Sequence, residues 1–403
     1  MLPEKPWRRA WGLVVCSALG CGIESDDATG KQLGELAPAR GISITTIEIN
    51  QGTAIDIGIA DTWIAPEQRS GRLLTARDAL LRVHVAVDDD RGPREIEARL
   101  ILSSAEGETR TVSETLMIDG ATVSDAGESV AFALSAAAGD TAPGTRFSVE
   151  LWEFAEPGDA AEGVVVSPAA GPAELGFEDL PMRMRVMFVP IDYEGRIPTL
   201  DPETLDAYLD NIYEQNPLTE LLYEVHEPVV YEQTLVELGD LLPVLAALRA
   251  DEQAAADVYY HALVDVGAAS FEGKVGIADI AGPDIDEAAA RVQATVVWAG
   301  NPLLAADTIT HEIGHSQGLH HVDCDNATAA DADLGFPHVD GHIGRDGYGL
   351  RRERLYGGEE AYDYMSYCGP TWVSDWTWAL TFARIEALTS WGLGTQAGFR
   401  VHH

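Results

Sequence analysis

The sequence predicts an α+β protein in two parts. An antiparallel β-sandwich is expected over residues 42–180, and a domain of mixed strands and helices over 181–403. Three observations carry this. Apolar residues alternate with period two through the first part, turn-rich pieces separate those runs, and capped helix signals begin after Pro181.

The first twenty residues stand apart from the rest. Lys5, Arg8 and Arg9 make a basic start, and Ala10 to Gly20 (AWGLVVCSALG) is a short apolar run. This reads as an export signal, too short for a membrane span. Ala18-Leu19-Gly20-Cys21 resembles a bacterial lipobox, although Ala18 stands where Leu is commonest. That resemblance implies a lipid on Cys21; ordinary signal cleavage would fall at the same bond. Residues 21–41 lack apolar periodicity and read as a flexible tether.

The strands of the first part follow. Leu81, Val83, Val85 and Val87 alternate with Arg82, His84 and Ala86, and Phe147, Val149 and Leu151 alternate with Ser148 and Glu150. His84 is expected to be an exposed strand residue. DDDRGP at 88–93 and AAGDTAPG at 137–144 supply turns. In the second part, Met184 to Val189 is apolar on both faces. Asp201-Pro202 opens a helix, with an N-cap and a Pro at its first position. Leu205, Tyr208, Leu209, Ile212 and Tyr213 form its buried stripe. Residues 257–266 and 293–299 read as strands, and GIADIAG at 276–282 as a short edge strand.

The formal net charge of −40 sets the chain against nucleic acid and anionic lipid. No nucleic-acid partner is expected, and membrane contact only through the N-terminal lipid. The expected location is outside the cytoplasm, either on the bacterial envelope by that anchor or extracellular. Cysteine usage agrees with export. Beyond Cys21 only Cys324 and Cys368 remain, and an oxidising compartment predicts one disulfide between them, with two buried free thiols as the alternative.

The chemistry is concentrated in HEIGHSQGLHH at 311–321. A helix there sets His311 and His315 one turn apart on one face, while Ile309 and Ile313 face a core. Two neutral imidazoles at that spacing can share a zinc ion. Glu312, rotated by about 100°, suits a general base acting on a water at the metal. Tetrahedral zinc needs a third protein ligand. Gly318 can end the helix with positive φ and return the chain, so that one of His320 and His321 faces the metal.

His311-Glu312-x-x-His315-x-x-Gly318-x-x-His321 resembles the full metzincin signature. The resemblance implies a metzincin-like catalytic domain, a twisted mixed sheet plus an active-site helix, with His321 as third ligand and His320 spare. It also implies a methionine turn beneath the metal, for which Tyr362-Asp363-Tyr364-Met365-Ser366-Tyr367-Cys368 offers Met365. Tyr367 is placed as in metzincins whose tyrosine binds zinc or supports the oxyanion; an ordinary packed tyrosine is the alternative. FPHVDGHIGRDGYGL at 336–350, DYMSYC at 363–368 and WVSDWTW at 372–378 resemble StcE-like secreted metalloproteases and related bacterial zinc-protease lipoproteins. Those enzymes cut mucin-type glycoproteins.

The function these readings imply is a zinc metalloendopeptidase that takes an extended polypeptide or glycoprotein as substrate, held by strand addition at 276–282. The alternatives are a catalytically vestigial surface lipoprotein that binds glycoproteins through its β-domain, and a hydrolase of non-peptide amides. Asp323, Asp325, Asp331, Asp333 and Asp340 form a candidate calcium cluster without EF-hand spacing. His338 and His342 read as loop residues. Trp372, Trp376 and Trp378 read as packing for a C-terminal helix.

Overall fold

The computed structural model describes residues 35–60, 62–87, 93–119, 130–155, 164–271, 273–325, 327–329, 331–393 and 398–402. The expected export signal and Cys21 lie outside them. The chain is a mixed α+β protein dominated by strands.

Strands β1 (Glu35–Pro38), β2 (Ile42–Asn50), β3 (Ala54–Ile59), β4 (Ala79–Val87), β5 (Arg94–Ser103), β6 (Thr109–Ile118), β7 (Val130–Ala136) and β8 (Arg146–Ala155) build two antiparallel sheets. One runs β1-β8-β5-β6; the other places β2 between β3 and β4, with β7 beyond β4. Alternate residues point between them. Ile47, Ile49, Leu81, Val83, Phe132, Ile96, Leu100, Phe147 and Val149 share one apolar core with contributions from both sheets.

Two expectations are corrected here. The tether was expected to run through residue 41, but Glu35–Pro38 is a strand whose register pairs Leu36 with Phe154 and Pro38 with Trp152. Backbone pairing along β8 orders a segment too short to show a period. His84 is not exposed: its strand partner β2 places Glu48 3.5 Å from its Nε2, half-buried beside Arg82.

The rest of the fold centres on a seven-stranded sheet. Its strands include β9 (Arg183–Tyr193), β10 (Glu220–Val225), β11 (Val258–Val264), β12 (Gly276–Ala278), β13 (Val292–Val296) and the late strand Arg400–His402. The order is β12-β13-β11-β9-β10, then Arg400–His402. The inner pairs are parallel, while β12 and Arg400–His402 run antiparallel at opposite edges. Strands β11 and β13 are buried along their whole length, as parallel strands covered on both faces must be.

Helices α1 (Pro202–Gln215), α3 (Ala305–Ser316) and α4 (Asp375–Ser390) contribute to the apolar core on one face of the sheet. Helix α2 (Leu242–Asp251) contributes Leu245 to the core on the other. The Asp201 side chain accepts from Thr204 N at 2.9 Å and starts α1, whose Tyr208, Leu209 and Ile212 are buried. Ser374 caps α4 through Thr377 N. No helix among the described residues is long and apolar enough to cross a membrane.

Candidate metal centre

Helix α3 lies between the sheet and a compact C-terminal cluster of Leu319, Val322, Ile343, Tyr364, Met365, Trp372 and Trp378. Ile309 and Ile313 are fully buried toward the sheet. That fixes the helix rotation and turns His311 and His315 toward a cleft. The helix ends where Gly318 adopts φ +90° and Leu319 N donates back to Gly314 O at 3.0 Å. A side chain at Gly318 would press on the Ala281 carbonyl and the Arg384 guanidinium, so the turn requires glycine twice over.

The returning chain brings His321 to the first two histidines. Donor atoms of His311, His315 and His321 all lie within 4.8 Å of one another, and no other such His/Cys/Asp/Glu group occurs among the described residues. His320 points away, with half its side chain exposed and its Nδ1 3.9 Å from Asp331.

Each ring has its Nδ1 engaged by an oxygen. His311 Nδ1 meets Tyr364 O at 2.7 Å, His315 Nδ1 meets Leu319 O at 2.8 Å, and His321 Nδ1 meets an Asp331 carboxylate oxygen at 2.6 Å. These acceptors suit a proton on Nδ1 in each ring, with Nε2 as the nitrogen turned to the shared site. His315 Nε2 and His321 Nε2 then face each other at 3.2 Å, an arrangement that repels itself unless a cation shares it. Burial, then the neighbouring imidazoles, hold His311 down to about 3. Burial dominates for His315, which is held to about 4. Both rings are thus neutral ligands at ordinary pH. The donor set fits zinc: three imidazole nitrogens with the opposite ring nitrogens oriented by the protein.

Glu312 is 5 % exposed, and its Oε2 has no hydrogen-bond partner among the described residues. Burial pushes its carboxyl well above the usual range, which makes it a stronger base. It sits against β12: a Cβ added at Gly276 would overlap Glu312 Oε1. Met365 is buried beneath α3, where a Cβ on Gly314 would overlap its sulfur, so glycine permits the close approach. Asp363 holds this turn, accepting from Met365 N at 2.9 Å and Ser374 N at 3.1 Å. Tyr367 is exposed, and its hydroxyl donates to His321 Nε2 at 2.8 Å; it does not pack into a core. Cys324 and Cys368 form a disulfide that ties the segment after His321 to the segment after Tyr367.

A cavity of about 700 Å³ runs past these groups. One wall is Gly273 to Ala278; the other carries His311, Glu312, His315, His321, Asp331 and Tyr367.

The five aspartates do not form the expected cluster. Asp331 is bound to His321, while Asp323 accepts from Ala329 N. Asp325 accepts from Tyr362, and Asp333 accepts from Gly335 N and Trp376 Nε1. Four of the five carboxylates satisfy a local donor, and the aspartates form no ligand group among the described residues. His338 pairs with Asp375 at the start of α4, and His342 stacks on Tyr362. Trp378 is a buried residue of α4 itself, and Trp372, just before the helix, is fully buried. Sequence reasoning missed the orienting role of Asp331 and the contact of Gly276 with Glu312. The ten-residue gap from His321 to Asp331 has no motif spacing to reveal it.

Three further links tie the N-terminal sheets to this cluster. Trp372 Nε1 donates to Gly52 O at 2.7 Å, Ala54 N donates to Asp346 O at 2.9 Å, and Arg345 pairs with Asp56. Arg77, fully buried, donates to Gln51 O, Leu218 O, Tyr213 O and Glu214 O.

No curated protein matches the chain. Among solved structures, similarity extends to the C-terminal domain of wzt (10% identity, 37% of this chain and 86% of that one, TM-score 0.20). It also extends to a calcium-binding mutant of Bacteroides uniformis beta-glucuronidase 2 (10% identity, 57% and 24%, TM-score 0.16). A Paenibacillus cycloisomaltooligosaccharide glucanotransferase is a third (10% identity, 55% and 28%, TM-score 0.19). The chain thus spans about a quarter of each of those two enzymes, and overlaps this loose carry no argument. The informative match is local. Residues 230–322 match the model of a Metallo-peptidase family M12B Reprolysin-like domain, and that span holds β11, β12, β13, α3 and all three clustered histidines. At this coarse level the region is similar to a metzincin-like, zinc-dependent metallopeptidase.

Proposed function

We propose that this protein is an exported zinc endopeptidase that hydrolyses peptide bonds of extracellular proteins or glycoproteins. The observation that carries the reading is the convergence of three Nε2 lone pairs, each fixed by an engaged Nδ1, beside a buried and unpartnered Glu312 carboxylate oxygen.

His311, His315 and His321 would hold the ion. Bound there, zinc would polarise the scissile carbonyl and acidify a water molecule. Glu312, raised by burial, takes the proton from the attacking water and delivers it to the leaving amine. Tyr367 can swing its hydroxyl from His321 Nε2 to the developing oxyanion, being exposed, with its ring against the His311 and His321 rings. Strand β12 ends its sheet along the cleft wall, so an extended substrate can add to it as a further strand. The absence of a side chain at Gly276 lets the substrate and Glu312 approach. The intact Glu312 favours this reading over a vestigial binding protein, since metal binding alone needs no general base.

Export to the bacterial envelope or beyond, with lipid on Cys21, rests on the N-terminal sequence and the Cys324–Cys368 disulfide. The likeness to StcE-like proteases makes glycoproteins a substrate class to include. The test is to load the folded chain with zinc and incubate it with unfolded and glycosylated proteins. New N-termini should appear, with about one zinc per chain. His320→Ala should retain the metal and His321→Ala should lose it. A zinc-loaded chain that cuts neither class would overturn the reading.

A further inference from the structure

The cation inventory of this chain is lopsided. Of 26 Lys and Arg, three are lysines: Lys5, Lys31 and Lys274. Many arginines are committed to the fold. Arg77, Arg249 and Arg291 donate to backbone carbonyls, and Arg72, Arg82, Arg183 and Arg352 pair with carboxylates. Lys274 is different. It is exposed, it forms no ion pair with a described residue, and it lines the candidate catalytic cleft.

Its backbone is fixed. Lys274 N donates to Phe271 O at 2.9 Å, closing a tight turn that includes Gly273 at φ +86°. The next carbonyl, Val275 O, accepts from Val296 N at 2.8 Å and so docks the turn onto the sheet. Gly276, two residues after Lys274, meets Glu312. Side chains repeat every two residues along extended chain, about 7 Å apart, so Lys274 stands one such step from the catalytic carboxylate. The other charged groups on the cavity wall are acidic: Asp307, Glu312 and Asp331. None lies within ion-pair distance of Lys274, so Lys274 lines the cleft without an ion-pair partner among the described residues.

Resting on the endopeptidase reading, we propose that Lys274 is a specificity-determining residue that selects substrates with an acidic side chain, Asp or Glu, within about two residues of the scissile bond. A substrate added to β12 passes directly by this ammonium. The field of the whole protein, at a net charge of −40, repels acidic chains at long range. At physiological salt that field fades over about 8 Å, and the contact pair at Lys274 decides the preference. The protein thereby discriminates locally, by position, rather than attracting acidic proteins as a class.

The test uses the zinc-loaded full chain and peptides that differ at one position near the cleaved bond: Glu, Gln or Lys. Wild type should hydrolyse the Glu peptide with kcat/KM about two- to tenfold above the Gln peptide, the range of a partly solvated ion pair. Lys274→Gln should flatten that ratio, and Lys274→Glu should invert it in favour of the Lys peptide. Hydrolysis with the same Glu:Gln ratio in all three proteins would overturn the role of Lys274. Failure of wild type to cut any peptide would instead sink the endopeptidase reading, and this proposal with it.

Discussion

Removing the Asp331 carboxylate should weaken metal binding without unfolding the protein. Asp331 accepts from His321 Nδ1 at 2.6 Å, and it is the one charged acceptor among the three that orient the ligand rings. In Asp331→Ala the ring loses the partner that fixes its tautomer and its rotation, so part of the population presents Nε2–H to the metal. Losing such an outer partner costs about 10- to 100-fold in affinity, or roughly 1.4–2.8 kcal/mol. The lower half of that range applies here for two structural reasons. The Asp331 side chain is 41 % exposed, so water can replace it. The His321 backbone is also held independently, its carbonyl accepting from Asp333 N at 2.8 Å. We therefore expect about 10- to 30-fold weaker zinc binding in Asp331→Ala, and a smaller loss in Asp331→Asn, which keeps a neutral acceptor. Competition against a chromophoric chelator measures this directly. Unfolding of the metal-free variant should shift by no more than about 0.5 kcal/mol, as for other partly exposed sites. Zinc affinities within twofold for wild type and Asp331→Ala would refute the orienting role.

Three other perturbations probe different links. Gly276→Ala places a methyl group against Glu312 Oε1, so kcat should fall about 10-fold or more with zinc content unchanged, as measured by steady-state kinetics and metal analysis. Arg77→Ala strips four carbonyls of their donor, three of those bonds buried, where the N-terminal sheets meet α1 and should cost roughly 3–5 kcal/mol in urea unfolding. A cost below 1 kcal/mol would show that the two parts do not depend on this contact. His261, buried in β11 with Nε2 2.8 Å from Thr295 Oγ1, is held by burial from the usual 6.5 down to about 3. The unfolded chain binds that proton first, so the stability this neutral ring contributes is present above pH 6.5 and is lost as pH falls toward 3. Between pH 7.5 and 5.5 the loss is about 1.4 kcal/mol. His261→Gln should remove that portion of the pH dependence, read as the difference between wild-type and variant unfolding free energies at the two pH values.

How much of this was legible beforehand depends on the range of the interactions. Alternation marked Leu81 to Val87 and Phe147 to Leu151 because one face of each strand meets a shared core. The histidine helix and the Gly318 turn were legible because helical spacing and one backbone conformation fix them locally. The strand at Glu35–Pro38 was not, since its order comes from pairing with β8 more than a hundred residues away. Asp331 looked like one more acidic loop residue, and only the returning chain puts it on His321. The contact of Trp372 with Gly52 spans 320 residues and leaves no local pattern. His84 looked solvent-facing by its alternation, but a neighbouring strand supplies Glu48 and shields it. The site was therefore readable where its geometry is local. It was unreadable where distant segments orient it.

Peptide-bond hydrolysis in this cleft, as proposed, depends on Glu312 as the base. Glu312→Gln is nearly isosteric and leaves the three histidines and their oxygen partners in place. The decisive measurement is digestion of a peptide library by wild type and Glu312→Gln, each confirmed to carry one equivalent of zinc. Wild type should cleave the library, and the variant at least about a hundredfold less at equal metal content. Equal cleavage by both proteins would contradict the role of Glu312.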